Sequence, residues 1–92
     1  MPKPKTAQQL ERHLKGIANH WRIEILLCID RNSGITLEHI VDELGANEKT
    51  IGEHARRLHR AGLVDKKYKG RSVQHVLSPY GRQCVKFLKT FG

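Results

Sequence analysis

Residues 37–77 read LEHIVDELGANEKTIGEHARRLHRAGLVDKKYKGRSVQHVL. The start of this stretch carries apolar side chains at helical spacing, namely Leu37, Ile40, Val41 and Leu44. Gly45 follows, where a helix end favours a left-handed residue, and Asn47 is a good N-cap for a second helix that runs to Ala61. A helix, a short turn with glycine and a second helix have the spacing of a helix-turn-helix.

A hairpin is predicted directly after the second helix. An extended segment begins at Leu63-Val64, and Lys69-Gly70 turns the chain. Ser72–Leu77 then alternates apolar and polar residues like a returning strand. Cations crowd around the tip at Lys66, Lys67, Lys69 and Arg71. Such a tip can reach a phosphate backbone or place an arginine in a minor groove, whereas we interpret Tyr68 and His75 as cross-strand packing residues.

The rest of the chain predicts three more helices and a short strand. Leu10, Leu14 and Ile17 recur at helical spacing and indicate a first helix. The apolar stretch Trp21–Ile29 is typical of a helix that packs on several sides. A short strand at Ile35-Thr36 is predicted before Thr36 caps the next helix, and Ser78-Pro79 starts the last one.

These elements predict a mainly α chain with a small β-hairpin, an α+β winged helix-turn-helix. The predicted order is helix, helix, strand, helix, helix, strand, strand, helix. We expect residues 7–92 to form this single domain and residues 1–6, with two prolines and two lysines, to form a flexible basic tail.

The charge of the chain is confined to its second half. Residues 1–45 hold six Lys/Arg and six Asp/Glu, whereas residues 46–92 hold eleven Lys/Arg and three Asp/Glu, which is the whole net charge of +8. A charge distributed in this way creates a directional field, and its natural partner is a polyanion.

The second helix of the helix-turn-helix has apolar residues on one face and cations on the other. Ile51, Ala55 and Leu58 share the inward face. A helix that enters a DNA major groove needs apolar anchors behind and hydrogen-bond donors in front, and a merely solvated charged face is the alternative interpretation. The predicted DNA-binding residues are Lys49, Thr50, Gly52, Glu53, Arg56, Arg57 and Arg60 on the helix, with Lys67, Lys69 and Arg71 on the hairpin.

Two of these residues have competing explanations. Glu53 could pair with Arg56 or Arg57 along the helix, which we favour, or accept a hydrogen bond from a cytosine amino group. Gly52 costs stability in mid-helix and either reflects drift or lets the backbone approach nucleic acid closely.

Composition argues against several other classes of protein. The longest apolar run, Ile25–Ile29, is far too short for a membrane span, and the N-terminal residues have no apolar region behind them that would make a secretory signal. Cys28 and Cys84 are too few and too far apart for a disulfide scaffold or a CxxC zinc site. We therefore expect a cytoplasmic protein that makes no membrane contact.

The chain resembles the ArsR-type winged helix-turn-helix repressors from about Leu14 to the last helix. The resemblance is carried by IANHWRIEIL at residues 17–26, TIGEHARRL at residues 50–58 and AGLV at residues 61–64. LSPYGR at residues 77–82 is more similar to the MarR and PadR branches, so the branch stays open. The resemblance implies a homodimer joined by the first and last helices, with each subunit placed on a half-site of double-stranded DNA.

Surplus apolar residues on the two terminal helices also predict a dimer. The predicted interface residues are Leu10, Leu14, Ile17, Cys84, Leu88 and Phe91. Cys84 could form a redox-sensing bond with its copy across this interface, although packing is the interpretation we favour.

The metal sites of ArsR-type sensors have no counterpart in this chain. Residues 37–44 lack the paired cysteines of one site, and residues 78–91 lack the histidines and acids of the other. The cluster of His39, Asp42 and Glu43 is interpreted as a solvated face, so no metal and no cofactor is expected.

The predicted function is sequence-specific binding of double-stranded DNA by a homodimeric transcriptional regulator, a repressor by resemblance. The alternative is a winged-helix module for protein–protein interaction, which would often lose the basic helix face that this chain keeps. No nucleophile–base arrangement or glycine-rich phosphate loop is present, so an enzyme is not expected.

Overall fold

The computed structural model describes residues 4–91, which form five helices and one hairpin. The elements are α1 (Ala7–Ile17), α2 (His20–Arg31), α3 (Leu37–Leu44), α4 (Glu48–Arg60), β1 (Val64–Lys69), β2 (Ser72–Leu77) and α5 (Pro79–Phe91). Residues 1–3 of the predicted basic tail lie outside the described residues, as does residue 92. Within the described part, Lys5 already contacts the domain, because its ammonium lies 4.0 Å from the centre of the Tyr80 ring.

Side-chain caps define where the helices begin. Thr36 caps α3, and Asn47 caps α4 by accepting from the backbone N–H of Lys49 at 2.7 Å. Ser78 accepts from the backbone N–H of Gly81 at 2.9 Å, so α5 starts with Pro79 as the sequence predicted. Gly45 ends α3 with a φ of 62°, a left-handed conformation that glycine adopts without strain. These boundaries confirm the predicted helix-turn-helix.

The sheet has two strands rather than the predicted three. β1 and β2 pair antiparallel from Val64 opposite Leu77 to Lys69 opposite Ser72. Ile35 contributes a single isolated bridge to His75 instead of a strand. The reason is local, because Ile35 has the turn of residues 32–34 before it and Thr36, already committed to capping α3, after it.

The core is built around α2. Ile25, Leu26 and Cys28 are fully buried on this helix. The other four helices and β2 all pack against it. From α4 the buried contributions are Ile51, Ala55 and Leu58, which are the three residues that the helical pattern assigned to the inward face. The opposite face of α4 is therefore free for a ligand.

Two glycines bring the terminal helices close to the junction between α4 and β1. A Cβ atom on Gly16 of α1 would lie 2.5 Å from the Cβ of Ala61. A Cβ atom on Gly81 of α5 would collide with the carbonyl oxygen of Leu63. The His13 ring is also hydrogen-bonded at Nδ1 to the Ala61 carbonyl, at 2.9 Å. Both terminal helices are thus fixed relative to α4.

No helix among residues 4–91 is long and apolar enough to cross a membrane.

Candidate nucleic-acid interface

The outer face of α4 carries the predicted DNA-binding residues. Its side chains at Lys49, Glu53, Arg56, Arg57 and Arg60 are exposed, while Thr50 and Gly52 are half-buried beside them. The helix is capped by Asn47, whose side chain satisfies two backbone donors of the first turn. An amphipathic helix with cations along its free face has the charge and the hydrogen-bond donors that DNA recognition requires.

A groove of about 380 Å³ separates α4 from the hairpin. Arg56 lines it from α4, and Lys66 and Arg71 line it from the hairpin. Glu38 and Glu48 also line it, near the starts of α3 and α4. The structure thus brings one cation from the helix and two from the hairpin to the same groove.

The side chains of the hairpin alternate between its two faces, and this separates Lys66 from Lys67. Lys66 lines the groove against α4, whereas Lys67 lines a different groove with Asp30 and Arg82. Successive side chains of a strand point to opposite faces, so the two neighbours cannot share one groove. Lys67 was predicted as a DNA-binding residue and Lys66 was not. Strand alternation could have found Lys66, because His75, opposite it in the register, is buried and lines the same groove.

The tip of the hairpin presents two cations and an aromatic ring to solvent. Lys69 and Arg71 are exposed on either side of Gly70, whose φ of 62° suits the first position of a two-residue hairpin loop. Tyr68 is 76% exposed and lies opposite Val73 in the register, so it is not part of the core and its role as a cross-strand packing residue stays a prediction. His75, by contrast, is buried and is hydrogen-bonded at Nδ1 to the Ile35 carbonyl at 3.1 Å.

Glu53 does not make the intrahelical ion pair that the sequence favoured. The ion pairs within 4.0 Å among residues 4–91 join Lys15 to Glu11, Arg31 to Glu43 and Lys89 to Asp30. Neither Arg56 nor Arg57 is held by Glu53, so its carboxylate stays available as a hydrogen-bond acceptor on the outer face of α4.

Arg60 lies away from the groove between α4 and the hairpin. It shares a separate groove with Lys5, Arg12 and Asp65 near the end of α4. Arg56 and Arg60 lie about one helical turn apart. They therefore contact different parts of any extended ligand.

Arg22 is a charged residue beneath α4 that the sequence analysis did not single out. It lies on α2 and is 9% exposed. Its Nη1 atom is 3.4 Å from Nδ1 of His54 on α4. Burial, followed by the charges of Arg22 and Arg57, lowers the pKa of His54. The signal that could have found Arg22 is its position, since it is a cation within the mostly apolar stretch Trp21–Ile29.

An apolar surface covers the outer sides of α1 and α5. Leu14 is 58% exposed, and on α5 Phe87 and Phe91 are 56% and 79% exposed, with ring centres 5.6 Å apart. A groove between the helices is lined by Leu10, Leu14, Tyr80, Cys84 and Phe87, among others. Of the predicted interface residues, Ile17 belongs to the core, and Leu88 is half-buried rather than free. Phe87 is an exposed member that the prediction did not include.

Both cysteines are held as thiols. Burial, with a hydrogen bond to Glu43, raises the pKa of Cys28 to about 11. The Cys28 Sγ atom lies 3.2 Å from the Glu43 carboxylate. Burial also raises the pKa of Cys84. Because the thiolate is the reactive form, these environments oppose redox chemistry at both residues.

Within residues 4–91, no three His, Cys, Asp or Glu side chains converge on a point where a metal ion could bind.

Comparison with solved structures places this arrangement among known folds. HlyU from Vibrio cholerae is 22% identical, with a TM-score of 0.84 over 97% of each chain. The fold is a winged helix. The homodimeric winged helix-turn-helix DNA-binding domain of Mb0332 from Mycobacterium bovis, a possible ArsR-family regulator, is 20% identical with a TM-score of 0.82, over 99% of this chain and 89% of that one. The transcriptional repressor PagR of Bacillus anthracis is 17% identical with a TM-score of 0.80, over 88% and 93%.

At these identities the likeness establishes the fold, and it confirms the winged helix predicted from the sequence. No protein-family model matches the sequence, and no curated protein matches it.

Proposed function

We propose that this chain is a transcriptional regulator that binds double-stranded DNA in a sequence-specific manner, acting as a homodimeric repressor in the cytoplasm. The observation that carries the proposal is the groove between α4 and the hairpin, where Arg56 meets Lys66 and Arg71. Solved structures of the same fold include a homodimeric DNA-binding domain and a transcriptional repressor, which supports this reading.

The proposed interface divides into contacts that read bases and contacts that hold the backbone. Lys49, Glu53 and Arg56 project from the outer face of α4, which has the width to enter a major groove. The exposed cations of the hairpin, Lys69 and Arg71, reach the flanking phosphates or the minor groove. Arg60 continues this face at the end of α4, and Arg57, Thr50 and Gly52 flank it. Lys67 lies on the other face of the hairpin, so it contacts DNA only if the duplex extends past the hairpin.

The proposed dimer forms through the apolar surface of α1 and α5. In this dimer Leu10 and Leu14 of α1, with Phe87 and Phe91 of α5, pack against their copies. Cys84 and Leu88 lie on α5 beside the two phenylalanines. Pairing these helices about a two-fold axis sets the two copies of α4 about 34 Å apart, which is one turn of DNA.

The experiment is selection of bound sequences from a random duplex pool. We expect an enriched pseudo-palindrome whose half-site centres are about 10 base pairs apart. Arg56→Ala should relax the preference at a position of each half-site, whereas Lys69→Ala should weaken binding about equally on all sequences. The proposal is contradicted if no sequence is enriched, or if the two variants behave alike.

A further inference from the structure

Arg22 is a buried cation whose hydrogen-bonding capacity is poorly used. A guanidinium has five N–H donors in a fixed fork. Nη1 lies 3.4 Å from His54 Nδ1, and Nη2 donates to the Lys15 carbonyl at 3.4 Å, both longer than a good N–H···O bond. Nε is buried and has no hydrogen-bond partner within residues 4–91. Arg22 also has no carboxylate within 4.0 Å in this part of the chain.

The surroundings of Arg22 add positive charge rather than remove it. Arg57 on α4 is close enough to lower the pKa of Arg22, after the larger effect of burial. The N-terminus of α2 contributes the positive end of the helix dipole, and no acid lies in its first turn. His20 and His54 stand beside these charges. Arg22 and His54 thus lie within hydrogen-bond distance where α2 passes under α4, the charges of Arg57 and His20 act on this pair, and Glu53 is the one acid that acts on the His54 ring.

A purely structural role explains only part of this arrangement. Contact with the Lys15 carbonyl ties Arg22 to the last turn of α1, and contact with His54 ties it to α4. Neither contact supplies negative charge. A buried charge without a counter-charge costs several kcal/mol in general, and the neighbouring Arg57 adds repulsion. The missing counter-charge points to an anion from outside the chain.

We propose that Arg22, His54 and Arg57 form a binding site for one phosphate group of the DNA backbone. The phosphate accepts from the guanidinium groups of Arg22 and Arg57, which are suited to paired hydrogen bonds with phosphate oxygens. The inference rests on the proposed function, because Arg57 lies beside the reading face of α4. It adds a phosphate contact on the side of α4 that faces α2.

His54 makes this contact sensitive to pH. Its Nδ1 faces Nη1 of Arg22, so in the free protein the neutral ring keeps its proton on Nε2. The groups that act on the ring are Arg22 and His20 from α2 and Glu53 and Arg57 from α4, and of these only Glu53 favours the protonated form. A bound phosphate reverses this balance, because its charge raises the pKa of the ring. DNA binding then takes up a proton on Nδ1, which stops accepting from Arg22 and releases Nη1 to donate to the phosphate, and affinity rises as pH falls.

The test compares salt and pH dependence in variants that lose the same charge. Arg57→Gln removes an exposed member of the site, and Arg31→Gln is the control, since Arg31 is exposed at the opposite end of α2. We expect Arg57→Gln to flatten the plot of log affinity against log salt by about one unit per bound protomer, with Arg31→Gln close to wild type. Arg22→Gln should do the same, provided that its circular dichroism matches wild type.

The second readout is the pH dependence of duplex binding at constant ionic strength. Wild type should bind more tightly as pH falls from about 7.5 to 5.5, by up to tenfold per pH unit for each protomer. His54→Gln should lose most of this gain and still bind at pH 7.5. A structural role for the cluster would leave the salt slope of Arg22→Gln and the pH profile of His54→Gln unchanged.

A phosphate group could also come from free inorganic phosphate, so the ring resonances of His54 are followed in phosphate and in chloride of equal ionic strength. Shifts with the duplex and reduced slopes in the variants support a backbone phosphate. Shifts with inorganic phosphate, combined with unchanged slopes, overturn it in favour of a free anion site. If wild type binds DNA and the variants keep the wild-type salt slope, this inference alone is overturned. If wild type binds no duplex, the proposed function is overturned as well.

Discussion

The apolar surface of α1 and α5 predicts that one charge on Phe87 separates the dimer. The Phe87 side chain is 56% exposed, its ring lies 5.6 Å from that of Phe91, and it lines the groove shared with Leu14. Phe87→Glu places a carboxylate where the proposed interface is most apolar. Because the side chain is not part of the protomer core, we expect the monomer to stay folded.

The size of the effect follows from the exposed area. A phenylalanine has about 200 Å² to bury, so just over half of it corresponds to about 110 Å² for each copy of Phe87. At about 25 cal/mol per Å², this area contributes about 3 kcal/mol per copy and about 5–6 kcal/mol per dimer. The dimer dissociation constant should therefore rise by about 10,000-fold.

Sedimentation velocity at concentrations from about 1 to 100 µM, together with circular dichroism of each variant, measures this change. Lys86→Gln is the control, because Lys86 is exposed on α5 and its loss changes the net charge by the same amount. We expect wild type and Lys86→Gln to be dimers and Phe87→Glu to be a folded monomer. A dimeric Phe87→Glu, or a monomeric wild type at 100 µM, would refute the argument from exposed apolar area.

Three further predictions concern stability and the hairpin. Gly81→Ala forces a methyl group against the Leu63 carbonyl, so the free energy of unfolding in urea should fall by about 1–3 kcal/mol. Burial lowers the pKa of His75, so the unfolded chain takes up a proton at a higher pH than the folded chain does. The free energy of unfolding should therefore fall as pH drops below the ordinary value of 6.5. His75→Gln should show a smaller fall if it folds, and an equal fall would contradict His75 as the cause. Lys66→Gln should reduce the salt dependence of duplex binding more than Lys67→Gln does, and the reverse order would show that the groove is not where DNA lies.

Local signals in the sequence were enough to predict the helix-turn-helix. Thr36, Asn47 and Gly45 act through bonds and backbone angles within a few residues, so they mark helix ends wherever they occur. The short strand at Ile35 failed because pairing depends on a distant segment, and the space left between a turn and a cap allowed one bridge to His75.

The candidate site was harder to predict where it depends on which side of an element faces a neighbour. The sequence shows four cations around the hairpin, but only the register shows that Lys66 faces the groove beside α4 and Lys67 does not. Similarly, a helical stripe does not distinguish core from surface, so Ile17 was grouped with residues that are exposed. Arg22 was missed because its importance arises from α4 crossing α2, a contact between residues 32 positions apart.

The most direct test of the central claim is the salt dependence of binding to a selected duplex. A dimer that places α4 and the hairpin on two half-sites makes roughly 6–10 phosphate contacts, which predicts a slope of about −5 to −9 in log affinity against log salt. Double-stranded DNA of that sequence should be bound in this way by the wild-type chain. A slope near zero, or no binding to any duplex at low salt, would contradict the account.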